Sequence, residues 1–337
     1  MRYNMNKQAW FEAQKDPAKK KPMPLISFPC VQKLGITVGQ LVTDSKLQAD
    51  GICAMAECSP SSGAVSMMDL SVEAEAFGAP VRFSDIEVPT VTAPIIEDIE
   101  EAEDIEVPAV GAGRTALFAD AIRQAKARIT DRPVFAGVIG PFSLAGRLLD
   151  MTEIMIYCYT DPEMVAATLE KCTEFIKGYV GLLKEAGADG IVMAEPAAGL
   201  LSPQLNEEFS IPYVKKILDA YRSDDFALIY HNCGNVVPLI DDILTIGADA
   251  YHFGNAIDLV ELAEKIPADV PFMGNIDPVG VLSRATAEET YKITMDLLEK
   301  LGDKPNFTLS SGCDVPAMAK LDNIEAFYKA SADYYGK

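Results

Sequence analysis

The sequence predicts one α/β domain folded as a (β/α)8 barrel, and three observations predict it. Apolar runs of strand length alternate with amphipathic stretches, several of those stretches end at glycine, and 337 residues that are 49% hydrophobic suffice for one large core. The alternation is plainest in "LLKEAGADGIVMAEPA" (182–197) and "ILTIGADAYHFGN" (243–255). Both read as helix, Gly-Ala-Asp, apolar run and polar tip. Gly187 and Gly247 suit the left-handed position that ends a helix, and the runs after them suit buried strands.

In chain order, strand-length runs occur at "PLISFP" near 24, "GICAMAE" near 51, "PVFAGVIG" near 133 and "GIVMAE" near 190. The series continues with "FALIYH" near 226, "DAYHFG" near 249, "VPFMGN" near 270 and "NFTLSS" near 306. The second run opens with the Ala-Asp-Gly-Ile that recurs at 188–191, an echo expected of a repeated unit. Continuous apolar strands separated by helices imply a parallel sheet covered on its outer side, and eight of them close a barrel. A doubly wound open sheet shares this pattern. Residues 1–23 read as a polar, helical segment ahead of a catalytic barrel spanning 24–337. The acidic run "EDIEEAEDIEVP" (97–108) reads as a solvated face.

Charge and composition exclude several classes of function. Fifty acidic residues against 29 basic ones give a net charge of −21, which repels phosphate backbones, so no nucleic-acid partner is expected. No stretch approaches the roughly 18 consecutive apolar residues of a membrane span, and the Lys-rich start carries no apolar signal core. Seven cysteines without dense spacing suit a reducing compartment. The expectation is a cytoplasmic protein with free thiols.

In such a barrel the residues just past each strand collect at one mouth, where active sites are built. His231 and Cys233 in "IYHNCGN" are two apart, so an extended backbone points both to one side. Cys313 in "TLSSGCDVP" follows Gly312 at the tip of the last strand. One imidazole and two thiolates favour Zn2+, and three protein ligands leave the fourth tetrahedral position open, as in catalytic sites. Structural zinc sites cluster their ligands locally, whereas Cys233 and Cys313 are far apart in the chain. Glu57, Glu195, His252 and Asn275 end other runs and are candidate substrate-binding residues. A zinc of this kind could take a substrate sulfur and lower its pKa, or activate water.

Several segments together resemble the uroporphyrinogen decarboxylase superfamily, and within it the corrinoid-dependent methylcobamide:coenzyme M methyltransferases. They are "MDLSVEAEAFG" (68–78), "GPFSLAGRL" (140–148), "LLSPQLNEEFSIPY" (200–213), "HNCGN" (231–235), "GNIDP" (274–278) and "SSGCDVP" (310–316). The resemblance spans roughly 24–335 and implies a barrel of the uroporphyrinogen decarboxylase type. The decarboxylases carry an Arg-rich segment after the first strand to hold a polyanionic tetrapyrrole. Here "SFPCVQKLG" (27–35) has no arginine, and Glu57 stands where their aspartate is expected, so decarboxylation is disfavoured.

The methyltransferase branch implies that His231, Cys233 and Cys313 bind zinc and activate a small thiol such as coenzyme M. The methyl group would then come from a methyl-corrinoid, an external donor carried on a corrinoid protein. No D-x-H-x-x-G corrinoid-binding segment is present, and the chain has two histidines in all. Some relatives place an acidic residue near the sixth strand tip; here "YHFGNAID" offers His252 and Asn255, so either this subgroup uses a different thiol or His252 contacts the metal or its ligand, with Glu195 as the alternative guard of the fourth site. Other readings are a zinc methyltransferase with a methylfolate, methoxylated or methylamine donor, and a non-enzymatic metal-binding barrel with a closed four-ligand site.

Overall fold

A computed structural model describes residues 3–336. Nine strands are present among them: β1 (Ala64–Val65), β2 (Val81–Arg82), β3 (Thr90–Val91), β4 (Val134–Ile139), β5 (Gly190–Ala194), β6 (Ala227–Asn232), β7 (Ala250–Phe253), β8 (Phe272–Ile276) and β9 (Phe307–Ser311). Seven form one all-parallel sheet in the order β1-β4-β5-β6-β7-β8-β9, and β2 and β3 make a separate antiparallel hairpin. Every residue of β5, β6, β7 and β9 is buried. Such strands need cover on both faces, which explains their unbroken apolar character in sequence.

The sheet closes through an irregular segment. Pro22 O accepts from Ser62 N at 2.9 Å, beside β1, and Met23 N donates to Leu309 O on β9 at 2.9 Å. Leu25 N donates to the Ser311 hydroxyl at 3.0 Å, and Val315 N returns to Leu25 O at 2.9 Å. Residues 22–25 thus fill the eighth position around the barrel without forming a regular strand, because Pro22 and Pro24 have no N–H to offer a ladder.

The expected second strand is corrected by the structure. "GICAMAE" lies inside the helix Ser45–Cys58, whose N-cap Asp44 accepts from Leu47 N. The strand that occupies this place is β1, only two residues long in "SSGAVSMM", too short to leave a periodic signal. Ala-Asp-Gly-Ile is therefore helical at 49–52, whereas at 188–191 it leads into β5. The difference lies upstream: the second copy follows Gly187, which ends its helix at φ 102°. Gly247 likewise has φ 67°. The acidic run forms the short helix Ile99–Asp104, of which only Ala102 is buried.

Beneath the mouth, the barrel is plugged from below. The helix Lys7–Lys15 carries Trp10, which is 6% exposed, packs its ring 5.3 Å from that of Phe135 on β4, and donates from Nε1 to Ser62 O at 3.0 Å. Space for the Phe135 ring is left by Gly63 and Gly190, where a Cβ would come within 2.7 and 2.9 Å of it. Met5, Met23, Ile229 and Met273 complete this layer.

Near the mouth, Glu195 fixes the helix Pro141–Leu149. It is fully buried and accepts from Phe142 N at 3.2 Å and Ser143 N at 2.5 Å, the free amides of the helix's first turn. A Cβ on Gly140 would lie 1.9 Å from Glu195 Oε2, so only glycine admits this approach. Glu195 therefore anchors a helix start, with its carboxyl oxygens engaged by backbone amides. Another buried ion group organises "MDLSVEAEAFG": Arg114 bonds Asp69 at 2.5 Å, Ser71 at 2.8 Å, and Glu75.

Replacing Trp10 by Ala should cost about 3–5 kcal/mol, as for other buried large aromatics, read as a lower urea midpoint. Glu195→Gln has a signed pH dependence. Burial raises the Glu195 pKa to about 7, so its contribution is fully present below its unfolded pKa and is lost as pH rises through 7. The stability gap between the parent and Glu195→Gln should accordingly shrink or reverse between pH 5 and pH 8 in urea melts; a constant gap would refute this.

Candidate metal centre

His231 is the fifth residue of β6, paired in register with Ala194 on β5 and His252 on β7. This register places both histidines of the chain on adjacent strands at the mouth. Cys233 follows just after β6 ends, where Asn232 pins the turn: its Nδ2 donates to Glu195 O at 2.8 Å and its Oδ1 accepts from Gly234 N at 2.8 Å. Sequence reasoning did not single out Asn232, although it stands inside "HNCGN".

Cys313 arrives from the other side. Two glycines allow its approach to Cys233: a Cβ on Gly254 would lie 2.4 Å from Cys233 Cα, and one on Gly312 would lie 2.7 Å from Asn255 Oδ1. The three donor atoms of His231, Cys233 and Cys313 all lie within 4.8 Å of one another. Cys313 Sγ is 3.6 Å from His231 Nε2. Zn–S and Zn–N bonds of about 2.3 and 2.05 Å at a tetrahedral angle would separate these atoms by about 3.6 Å. The donor set and its spacing therefore fit a zinc ion.

Electrostatics point the same way. The Cys233 pKa is pushed down to about 4, chiefly by the hydrogen bond from Cys313, while Cys313 is raised by that same interaction and by burial. Without a cation, only one of the two thiols is readily ionised. A divalent ion would supply the charge that lets both be thiolates. His231 is 1% exposed, and both cysteines are partly exposed.

The remaining candidates divide. His252 is 1% exposed and its ring contacts His231, with 4.7 Å between centroids; it touches a member of the donor cluster rather than the open mouth. Burial lowers its pKa well below the usual histidine value. Asn275 donates from Nδ2 to Gly254 O at 2.9 Å and Ile257 O at 3.1 Å, which holds the loop carrying Gly254 against Cys233. Its side-chain amide N–H groups are thereby engaged by backbone carbonyls of that loop. Glu57 is not at the mouth. It is exposed near the C-terminal end of the helix Ser45–Cys58, in a surface hollow with Arg128 and Arg132. Since Arg132 precedes β4, this is the opposite end of the barrel, and the expectation fails because its supposed strand is helical.

Comparison with known proteins agrees with this architecture. The sequence profile of the uroporphyrinogen decarboxylase (URO-D) family matches residues 26–334. The chain is 27% identical over 270 residues to the methylcobamide:CoM methyltransferase MtbA of Methanosarcina acetivorans, covering 79% of this chain and 78% of that protein. It is 25% identical over 293 residues to a methylated-thiol–coenzyme M methyltransferase of Methanosarcina mazei, covering 85% and 77%. A solved methyltransferase from Methanosarcina mazei superposes with a TM-score of 0.86 at 24% identity, covering 99% of this chain and 100% of that one, which speaks for the fold. With the profile spanning nearly the whole barrel, the chain belongs to the uroporphyrinogen decarboxylase family.

Proposed function

We propose that this protein is a methyltransferase that moves a methyl group from a methyl-corrinoid, delivered by a separate corrinoid protein, to a small thiol such as coenzyme M at a zinc held by His231, Cys233 and Cys313. The observation that carries the proposal is the three-donor cluster at the barrel mouth, in a chain similar to proteins named for methyl transfer to coenzyme M. When bound, the ion supplies Lewis acidity that keeps a substrate thiol ionised at neutral pH.

The chain's own residues contribute position and charge. His231 anchors the cluster from inside the barrel, while Cys233 and Cys313 stand at the rim, so the substrate sulfur enters from the mouth. Two thiolates make a soft ligand field that suits a third sulfur better than a water oxygen. The layer around Trp10 and Phe135 closes the far end, so reactants enter and leave on one side. His231 belongs to the cluster and His252 is engaged by His231 and Ser310, so neither histidine is left to ligate cobalt, which supports an external corrinoid. Little new charge has to be stabilised in the transfer; alignment of donor and acceptor is the main demand.

A decarboxylase reading finds less support. The short helix Cys30–Leu34 occupies the place expected to cradle substrate carboxylates, and residues 27–35 contain no arginine. The acidic chain would leave a polyanion unpaired there.

Purified protein should contain about one zinc per chain, and should consume methylcobalamin, followed by its absorbance, when 2-mercaptoethanesulfonate is the thiol. No methylation of any small thiol by methylcobalamin, alongside methylation of a thiol by methylfolate, would replace the corrinoid by a folate donor. A fourth protein ligand seen by X-ray absorption and undisturbed by added thiols would overturn the catalytic reading. In Cys313→Ala, zinc affinity should fall by more than the about 10- to 100-fold that loss of an outer hydrogen-bond partner costs, and methyl transfer should fall with it; full zinc occupancy in that variant would overturn the ligand assignment.

A further inference from the structure

Behind His231 runs a hydrogen-bonded chain that the proposed reaction does not use directly. His231 Nδ1 lies 2.8 Å from His252 Nδ1 and 3.2 Å from the His252 carbonyl oxygen. His252 Nε2 lies 2.7 Å from Ser310 Oγ, and Ser310 Oγ lies 2.7 Å from Met23 O. All four residues are buried, His252 and His231 at 1% exposure and Ser310 at 0%.

The direction of this chain is set at both ends by carbonyls, which only accept. Met23 O accepts the hydrogen bond from the Ser310 hydroxyl, so Ser310 Oγ is left as the acceptor for His252 Nε2–H. In neutral His252, Nδ1 is then the lone-pair nitrogen. At the other end the His252 carbonyl faces His231 Nδ1, so that nitrogen carries hydrogen, which it shares with His252 Nδ1. Both constraints give one answer: His231 is protonated on Nδ1 and bare on Nε2. Nε2 is the atom 3.6 Å from Cys313 Sγ, in the donor cluster.

We propose that His252 is a positioning residue whose Nδ1 lone pair, oriented through Ser310 and the Met23 carbonyl, fixes the His231 tautomer and ring angle so that Nε2 is presented to the metal. The partner of a ligating histidine is usually a carboxylate or a carbonyl; here a second imidazole takes that place together with its own backbone carbonyl. The last link is a carbonyl of the irregular segment 22–25 that closes the barrel, so the same residues that complete the sheet also orient the metal ligand. This inference rests on the metal centre proposed above.

The test begins with the unmodified, metal-free protein. Because the chain has two histidines, selective 15N-histidine labelling gives two sets of ring signals, and their tautomers are read directly. The expected result is His231 as the Nδ1–H form and His252 as the Nε2–H form; His231 found as Nε2–H overturns the proposal. Zinc affinity is then measured by chelator competition. His252→Phe, which keeps a ring but has no acceptor, should bind zinc about 10- to 100-fold more weakly. His252→Asn, whose Oδ1 can stand near Nδ1, should recover most of that loss, and Ser310→Ala should weaken binding in the same direction. Affinity unchanged in His252→Phe, or no rescue by His252→Asn, overturns the positioning role. Failure of the metal centre itself would show separately, as an unmodified chain that carries the expected tautomers and takes up no zinc.

Discussion

Curvature of the sheet is the constraint on which the site depends. β6 and β9 are three places apart in the strand order, and in a flat sheet their ends would stand about 14 Å from each other, at about 4.8 Å per strand. No pair of side chains as short as histidine and cysteine spans that gap. Yet His231 Nε2 and Cys313 Sγ are 3.6 Å apart, because the curled sheet turns both tips inward across its mouth. The donor cluster therefore distinguishes a barrel from the doubly wound open sheet that the alternation of helices and strands allows equally well. Fold and chemistry are one fact here.

How much of this was legible in sequence follows from what each segment had to satisfy. β4 to β9 were readable because strands buried on both faces are apolar throughout, and helix ends such as Gly187 and Gly247 announce the strand that follows. The first turn of the barrel was not. Residues 22–25 take a strand's place while prolines deny them a ladder, and β1 is a two-residue strand whose pairing with β4 is decided by the space Gly63 leaves for Phe135. Ser45–Cys58 is as apolar as a strand because it packs closely, with Gly51 set against Cys30. Apolar content reports burial, and burial does not distinguish helix from strand at this length.

The three clustered side chains, His231, Cys233 and Cys313, stood out in sequence for a different reason. Histidine is scarce in this chain, and although H-x-C alone is as compatible with packing as with chelation, a second thiol, Cys313, at the tip of the last strand turns the reading toward a shared ion. Glu195, Asn275 and Glu57 looked equivalent to them because each ended an apolar run. What separates them is the direction of the side chain and the prior demand of nearby backbone. Glu195 faces a helix start with free amides, Asn275 faces two carbonyls of the preceding loop, and Glu57 belongs to a helix. A polar residue at a barrel mouth meets unpaired peptide groups before it meets substrate, so many such residues serve the loops. Ser310 illustrates the converse: inside a buried strand it looks like a packing residue, and only the neighbouring ring shows its part.

Burial within the cluster also orders the chemistry. His231 is enclosed, with its far nitrogen engaged by His252, while the thiols of Cys233 and Cys313 are the partly exposed members. An ion held by all three would be gripped rigidly from within the barrel and more loosely at the rim. Its remaining position would face the mouth, because the interior below is filled by Met23, Phe135 and the Trp10 layer. A thiol entering there displaces only solvent, and the corrinoid must then approach from the same side. If the reaction is the one proposed, shape favours one binding order: a large donor seated first would cover the route by which a small acceptor reaches the cluster, so an acceptor bound before the donor meets the smaller obstacle.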